Sequence, residues 1–371
     1  MNQTKYNMNE YGFNTFFSNA WKNIYKMEWL DSTFDETNQG SMPARIVADY
    51  GQKVRVITPL GELLANRPSS HQLMEHGLAA GDWVAVHLIN ANTEAVIENV
   101  LPRMTKFSRA AAGIEVKEQI VASNVDTIFL IQSLNKDFNM RRLERYLIAS
   151  WESGAVPVIV LTKSDLCEDV ALKISKVEET APGVEIYAVS NLTGEGIDLL
   201  SKYISAGKTI ALLGSSGVGK STLVNTLTGT QVLKTQDIRE DDSKGRHTTT
   251  HRELVKLPQG GLILDTPGMR SLSLWEAEEG MEKMFGEIEV LIKSCRFNDC
   301  KHQNEPGCAI REGLRKGTID ANKWQSWLKL QKEIRHLEAK KDNKLKAIEK
   351  QSIRKFSREI NQKNRANHQS Y

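Results

Sequence analysis

Gly214-Ser215-Ser216-Gly217-Val218-Gly219-Lys220-Ser221 has the spacing G-x-x-x-x-G-K-[ST] and is followed by Thr222. Glycines let successive backbone N–H groups turn inward onto phosphate oxygens. The Lys220 ammonium can reach the β- and γ-phosphates, and the Ser221 hydroxyl can ligate Mg²⁺. The apolar run Thr209–Leu213 ahead of the motif reads as a strand, and Thr222–Leu227 behind it reads as a helix whose N-terminal dipole favours anions. The spacing predicts a nucleoside polyphosphate held with Mg²⁺ by the run from Gly214 to Thr222.

Two segments downstream extend the phosphate chemistry. Asp265-Thr266-Pro267-Gly268 follows the apolar strand Leu262–Leu264. There Asp265 can hold the Mg²⁺ shell through water, and the Gly268 N–H can meet the γ-phosphate. Between the two motifs lies Gly245-Arg246-His247-Thr248-Thr249-Thr250. A threonine in this interval can cap Mg²⁺ and sense the γ-phosphate. Thr249 and Thr250 join Ser221 as expected Mg²⁺ ligands, although spacing does not decide among the three threonines.

Phosphate loops do not choose a base; Thr162-Lys163-Ser164-Asp165 does. The Asp165 carboxylate can accept from both the N1–H and the N2–H₂ of guanine, a donor pair that adenine lacks. The Lys163 stem can pack on the base, and Ser190-Asn191-Leu192 supplies a companion loop on its other side. This set resembles the GTPase signature N-K-x-D, with Thr162 in place of the usual Asn. The base loops precede the phosphate loop, whereas ordinary GTPases run in the opposite order. The order implies a circular permutation, whose switch-bearing end must be anchored by flanking domains.

Cys295, Cys300, His302 and Cys308 form C-x₄-C-x-H-x₅-C and hold three of the chain's four cysteines. Three thiolates and one imidazole suit a tetrahedral structural Zn²⁺, with no position left open for catalysis. Cys167 stands apart and reads as a free thiol.

The elements that must position these groups follow from the pattern. Residues 1 to about 40 form an extension with one helix around Phe13–Trp29. Arg45–Ala48, Gln52–Ile57, Trp83–Leu88 and Ala95–Val100 are short β-branched runs between turn signals, as in a small barrel of the oligonucleotide/oligosaccharide-binding (OB) type. Asp126–Gln132, Val156–Leu161, Glu185–Val189, Lys208–Leu213 and Gly261–Leu264 alternate with helical stretches such as Met140–Ser150, predicting a parallel sheet covered on both faces. After about Glu276 the pattern is helical, with a long charged run from about Asp320 to Arg358. The fold class is multidomain: an extension (1–40), an N-terminal OB-type β-barrel (41–105), a central circularly permuted α/β P-loop GTPase (106–275), a C-terminal zinc-binding α-helical domain (276–340) and a basic tail (341–371).

Composition excludes several classes. Hydrophobic residues are 40% and charged residues 26% of 371, enough for buried cores and against disorder throughout. No apolar run approaches the roughly 20 residues of a membrane-spanning helix. Met1–Glu10 is polar and lacks the apolar core of a secretory signal, and so few cysteines do not make a disulfide framework, so a reducing cytoplasm is expected. The formal net charge of +3 conceals an asymmetry: Lys329–Tyr371 has 13 Lys/Arg against 5 Asp/Glu. Such a segment suits a polyanionic partner.

A small barrel, a permuted GTPase and the C-x₄-C-x-H-x₅-C module, in this order, resemble the ribosome small-subunit-dependent GTPase A (RsgA) family. The resemblance spans roughly Ala44 to Lys340 and rests on Thr162–Asp165, Gly214–Thr222, Gly245–Thr250, Asp265–Gly268 and Cys295–Cys308. Asn139–Tyr146 and Glu118–Asp126 also look like family segments. The resemblance implies a late maturation factor of the small ribosomal subunit. Its barrel and zinc domain would contact ribosomal RNA, and the subunit would stimulate its GTP hydrolysis. The basic tail would bind RNA phosphates, and a monomer is expected. Met269 follows Gly268 where familiar GTPases place a water-orienting Gln. The family favours His247 for that role, with His251 as the fallback. Two alternatives are a GTP-regulated RNA-binding assembly factor in which hydrolysis serves only release, and a P-loop ATPase or kinase, against which Asp165 argues.

Overall fold

β-Branched runs bounded by turn residues make strands whose alternate side chains can share one core. In the computed structural model, which describes residues 6–26, 40–68, 77–90, 93–110, 118–135, 137–231, 233, 253–265 and 277–339, the first such runs are β1 (Met42–Asp49), β2 (Lys53–Thr58), β3 (Gly61–Asn66), β4 (Trp83–Ile89) and β5 (Glu94–Val100). They pair in the order β1-β2-β3-β5-β4, and β4 pairs back onto β1 to close a five-stranded barrel. Met42, Ala44 and Ile46, Val54 and Val56, Val84 and Val86, and Ala95 and Ile97 fill it at the spacing of two that a pleat requires. β3 is the strand that the sequence pattern does not announce, because Glu62-Leu63-Leu64-Ala65 holds no β-branched residue. Its hairpin with β2 places it: the Thr58 hydroxyl donates to the Gly61 carbonyl at 2.8 Å and accepts the Leu60 N–H at 3.2 Å.

The N-terminal extension is built into this unit. Helix α1 (Thr15–Tyr25) starts at Asn14, whose side chain accepts from the N–H groups of Phe16 and Phe17, and it buries Phe17, Ala20 and Trp21. The rings of Phe13 and Phe17 lie 5.0 and 5.7 Å from that of Trp83. The Tyr6 N–H donates to the Pro59 carbonyl, while the Glu10 carbonyl accepts from Gly207 and the Glu10 carboxylate pairs with Lys256. The extension therefore touches both the barrel and the central sheet.

Arg45 of β1 lies at this junction and is fully buried. Its guanidinium donates to the carbonyls of Tyr11, Gly81 (3.3 Å) and Asn124 (2.9 Å) and lies over the Trp83 ring. Burial pulls its pKa down to about 10, so it stays charged at neutral pH. Arg45→Met is expected to lower the stability of this unit by about 3–5 kcal/mol in denaturant unfolding, because buried carbonyls lose a charged donor. A change under about 1 kcal/mol would show that these bonds do not hold the junction.

β6 (Lys106–Ala110) and β7 (Glu118–Ser123) form a two-stranded ladder. The central sheet follows: β8 (Thr127–Ser133), α2 (Met140–Glu152), β9 (Val156–Thr162), α3 (Val170–Thr180), β10 (Glu185–Ala188), β11 (Thr209–Leu213), α4 (Lys220–Thr228), β12 (Glu253–Lys256) and β13 (Leu262–Asp265). The order is β10-β9-β8-β11-β13-β12, parallel as far as β13. β12 runs antiparallel to β13 and meets β1 at Ala48↔Glu253, so barrel and central sheet are continuous. Arg55 of β2 pairs with Glu253 across this seam and with Glu62 of β3 within the barrel.

The described residues divide between two compact units, one within Met1–Arg109 and Gln119–Met284, the other within Ala110–Glu118 and Phe285–Tyr371. The second contains helical structure: α5 (Glu278–Lys293), interrupted at Phe285, leads into it, followed by α6 (Ala309–Lys316) and a helix over 321–339. The charged helical pattern expected to reach Arg358, and the basic tail 341–371, otherwise lie outside the described residues. Among those residues no helix is long and apolar enough to cross a membrane.

Candidate nucleotide site and metal centre

The phosphate loop joins β11 to α4. Gly217 (φ +74°) and Gly219 (φ +93°) adopt the left-handed backbone that the turn needs. A Cβ at Gly214 would lie 2.4 Å from the Ile131 carbonyl of β8, so only glycine lets the loop leave the sheet there. Val218 is buried in the core, which leaves Ser216 and Gly217 exposed at the mouth. Lys220 Nζ lies over the loop, donating to the carbonyls of Gly214 (2.8 Å) and Ser215 (2.6 Å). Ser221 and Thr222 occupy the first turn of α4. The donor set suits a nucleotide phosphate with its Mg²⁺: a glycine-turned backbone, one lysine and a serine hydroxyl.

β9 and β10 run parallel, end on the same side of the sheet and carry the two loops expected to meet the base. Thr162 closes β9, completely buried, and its hydroxyl donates to the Val218 carbonyl at 2.6 Å. Lys163 takes a left-handed conformation that turns the chain. Ser190 Oγ donates to Asp165 Oδ1 at 2.6 Å and accepts the N–H groups of Leu192 (3.3 Å) and Thr193 (3.1 Å). The exposed Asp165 carboxylate is thereby aimed by a buried hydroxyl. Ser164 also sits in this turn, its N–H bonded to the Val189 carbonyl. Thr162–Asp165, Ser190 and Gly214–Thr222, separated in sequence, thus form one strand-end cluster.

Asp265 ends β13, its backbone in register with Glu253. Gly268, His247, Thr249 and Thr250, and the alternative His251, lie outside the described residues. The sequence reading missed Asp137. Its carboxylate accepts from the Ser215 hydroxyl (2.6 Å) and pairs with Arg142 (2.8 Å), tying the loop after β8 to the phosphate loop. No motif contains it, and only the parallel pairing of β8 with β11 brings it near.

The cysteine cluster lies in the second unit. One ligand atom from each of Cys295, Cys300, His302 and Cys308 lies within 4.8 Å of the others. His302 Nδ1 is 3.5 Å from the sulfurs of both Cys295 and Cys308. Nitrogen and sulfur ligands at ~2.1 and ~2.3 Å from a tetrahedral Zn²⁺ stand about 3.5 Å apart, so the donors fit such an ion. Burial holds the His302 imidazole below its usual pKa, favouring the neutral form that ligates. Burial also pushes the Cys300 thiol up to about 11, so ion binding would release protons. Glu305 accepts the N–H groups of Lys301, Gln303 and Asn304 at 2.9–3.0 Å and shapes the loop that presents His302. The His302 ring meets the edge of Trp324, which stacks on Trp327.

A closed OB-like barrel, a strand–phosphate loop–helix unit preceded by its base loops, and a Cys₃His cluster define a circularly permuted P-loop GTPase. Comparisons with known proteins agree. The RsgA GTPase family model matches residues 100–275. "Small ribosomal subunit biogenesis GTPase RsgA 2" of Lactiplantibacillus plantarum is 45% identical over 299 residues, 80% of this chain and 84% of its own. "Small ribosomal subunit biogenesis GTPase RsgA" of Methanosarcina acetivorans is 40% identical over 330 residues, 89% of each chain. YjeQ from Thermotoga maritima superposes with a TM-score of 0.58 at 27% identity, covering 78% of this chain and 97% of that one. YloQ, described as a circularly permuted GTPase, shares the fold with a TM-score of 0.57 at 22% identity over 82% of this chain and 98% of its own. The chain belongs to the RsgA GTPase family.

Proposed function

We propose that this chain hydrolyses GTP on the small ribosomal subunit during late maturation, as a cytoplasmic monomer. The observation that carries the nucleotide assignment is the buried Ser190 hydroxyl aiming Asp165 beside a phosphate loop braced by Thr162. The names of the relatives support the ribosomal half of the reading. Domain roles follow the sequence boundaries: extension 1–40, barrel 41–105, GTPase 106–275, zinc module 276–340, tail 341–371. Barrel, zinc module and tail take ribosomal RNA, with the tail lysines and arginines giving a salt-sensitive phosphate contribution.

In this mechanism Asp165 reads the N1–H and N2–H₂ edge of guanine. Lys220 exchanges its loop carbonyls for phosphate oxygens. Thr162 holds Val218 so that the loop N–H groups stay turned inward. Ser221, Thr249, Thr250 and Asp265 are the residues that would hold Mg²⁺, which would supply neutralisation of the charge developing on the phosphates. The Gly268 N–H meets the γ-phosphate. Met269 offers no hydrogen bond to water, so His247 accepts one and orients the attack. Cys295, Cys300, His302 and Cys308 hold one structural Zn²⁺.

The test is GTP and ATP turnover with and without purified small subunits at two salt concentrations. Subunits should accelerate GTP turnover alone, more at low salt; no acceleration sinks the ribosomal reading. His247→Ala is expected to lower subunit-stimulated turnover about 10²-fold with GTP affinity retained. Full stimulated turnover in that variant would move the role to His251.

A further inference from the structure

Thr162 stands where the signature usually has a carboxamide, and its single hydroxyl proton is committed to Val218 O at 2.6 Å. It has no donor left for the O6 edge of guanine. Across the site, Asn191 reaches from the second base loop to the phosphate loop. Its Nδ2 donates to the Gly219 carbonyl at 3.2 Å. A Cβ at Gly219 would stand 3.0 Å from that nitrogen, so the bare glycine is what admits the side chain. The Asn191 Oδ1 is buried with no hydrogen-bond partner among the described residues. Guanine O6 is itself an acceptor and cannot pair with this oxygen, so it can meet this side chain only through the amide protons. The contact with Gly219 spends one of the two amide protons and leaves one donor.

We infer that Asn191 is a base-specificity residue that supplies the carboxamide missing at Thr162, with its second Nδ2–H donating to guanine O6 while the first braces Gly219. A guanine docked on Asp165 by N1–H and N2–H₂ carries O6 next to N1. Ser190, which holds Asp165, immediately precedes Asn191, so residue 191 borders that edge. The phosphate-loop brace is then divided between two base loops: Thr162 on Val218 and Asn191 on Gly219. Reading of the base is thereby tied to the shape of the phosphate cradle.

The inference rests on the base-loop assignment proposed above, and the experiment separates the two. Dissociation constants are measured for GDP, 6-thio-GDP and IDP with the full chain and its variants. 6-Thio-GDP keeps N1–H and N2–H₂ and weakens only the O6 acceptor, whereas IDP lacks only the N2 amine. The unaltered chain should prefer GDP over 6-thio-GDP by about 5–10-fold, the scale of one neutral hydrogen bond plus a backbone contribution. In Asn191→Ala that ratio should fall to about 2-fold or less, while the GDP/IDP ratio, set by Asp165, is kept. Ratios within one variant cancel any general loosening of the phosphate loop. Thr162→Asn combined with Asn191→Ala should restore the 6-thio-GDP ratio by returning a carboxamide from the other loop. An unchanged 6-thio-GDP ratio in Asn191→Ala, or no recovery in the double variant, overturns the role of Asn191. Equal affinity of the unaltered chain for GDP and IDP overturns the base-loop assignment, and the inference with it.

Discussion

Asp165→Asn should convert the site from guanine to xanthine nucleotides. The carboxylate offers acceptors to two guanine donors, and the Ser190 hydroxyl fixes its orientation through Oδ1. An asparagine there keeps one acceptor and presents N–H₂ at the other position. Against guanine this sets donor against donor and leaves buried polar groups unpaired. The loss in GTP affinity is expected at about 10³-fold or more, within the range for sites built to pair a specific polar group. Xanthine replaces the N2 amine with a carbonyl, which the new N–H₂ can meet, so XTP should bind more tightly than GTP. The Ser190 proton can still be accepted by the asparagine oxygen, so the loop should survive the change. Competition of GTP and XTP against a fluorescent GDP analogue reads the outcome. Retained preference for GTP would show that Asp165 does not read the base.

Removing the metal from the Cys₃His cluster should unfold the second unit while leaving nucleotide binding in place. This unit has a small core that includes Ile288, Ile310, Ile319 and Trp324, and such cores need a staple. Structural zinc contributes about 10–16 kcal/mol of apparent binding free energy in small modules, more than the stability of most domains. The described cysteines form no disulfide that could substitute. Cys308→Ser or a strong chelator should therefore expose residues after Phe285 to limited proteolysis and shift the emission of the stacked Trp324 and Trp327. GDP affinity should change less than about 2-fold, because the cradle and both base loops lie in the other unit. Persistent protection of the second unit after metal removal would overturn the structural role.

The two units differ in how they register chemistry along the chain. The phosphate loop and the Cys₃His set are each contained in short runs, so residue type and spacing suggest their chemistry before any fold is known. The N-terminal extension gave no functional signal, because its packing partners, Trp83, Pro59 and Gly207, are distant in sequence and supplied by other elements. β12 was invisible for a related reason: four residues, Glu253-Leu254-Val255-Lys256, become a strand because β13 and β1 pair on either side of them.

The sequence by itself determined the phosphate-loop motif Gly214–Thr222, the Thr162–Asp165 motif, the Cys₃His set and the permuted order of these motifs, because each depends on side-chain chemistry at short spacing. Only the tertiary structure decided how these parts act on one another. It set Thr162 against Val218, Asn191 against Gly219 and Asp137 against Ser215, and it joined the barrel to the central sheet through Ala48 and Glu253. Those contacts cross from 28 to 205 residues of chain. The order in which strands pair selects them, and strand order is a global choice of packing that no local window of residues encodes.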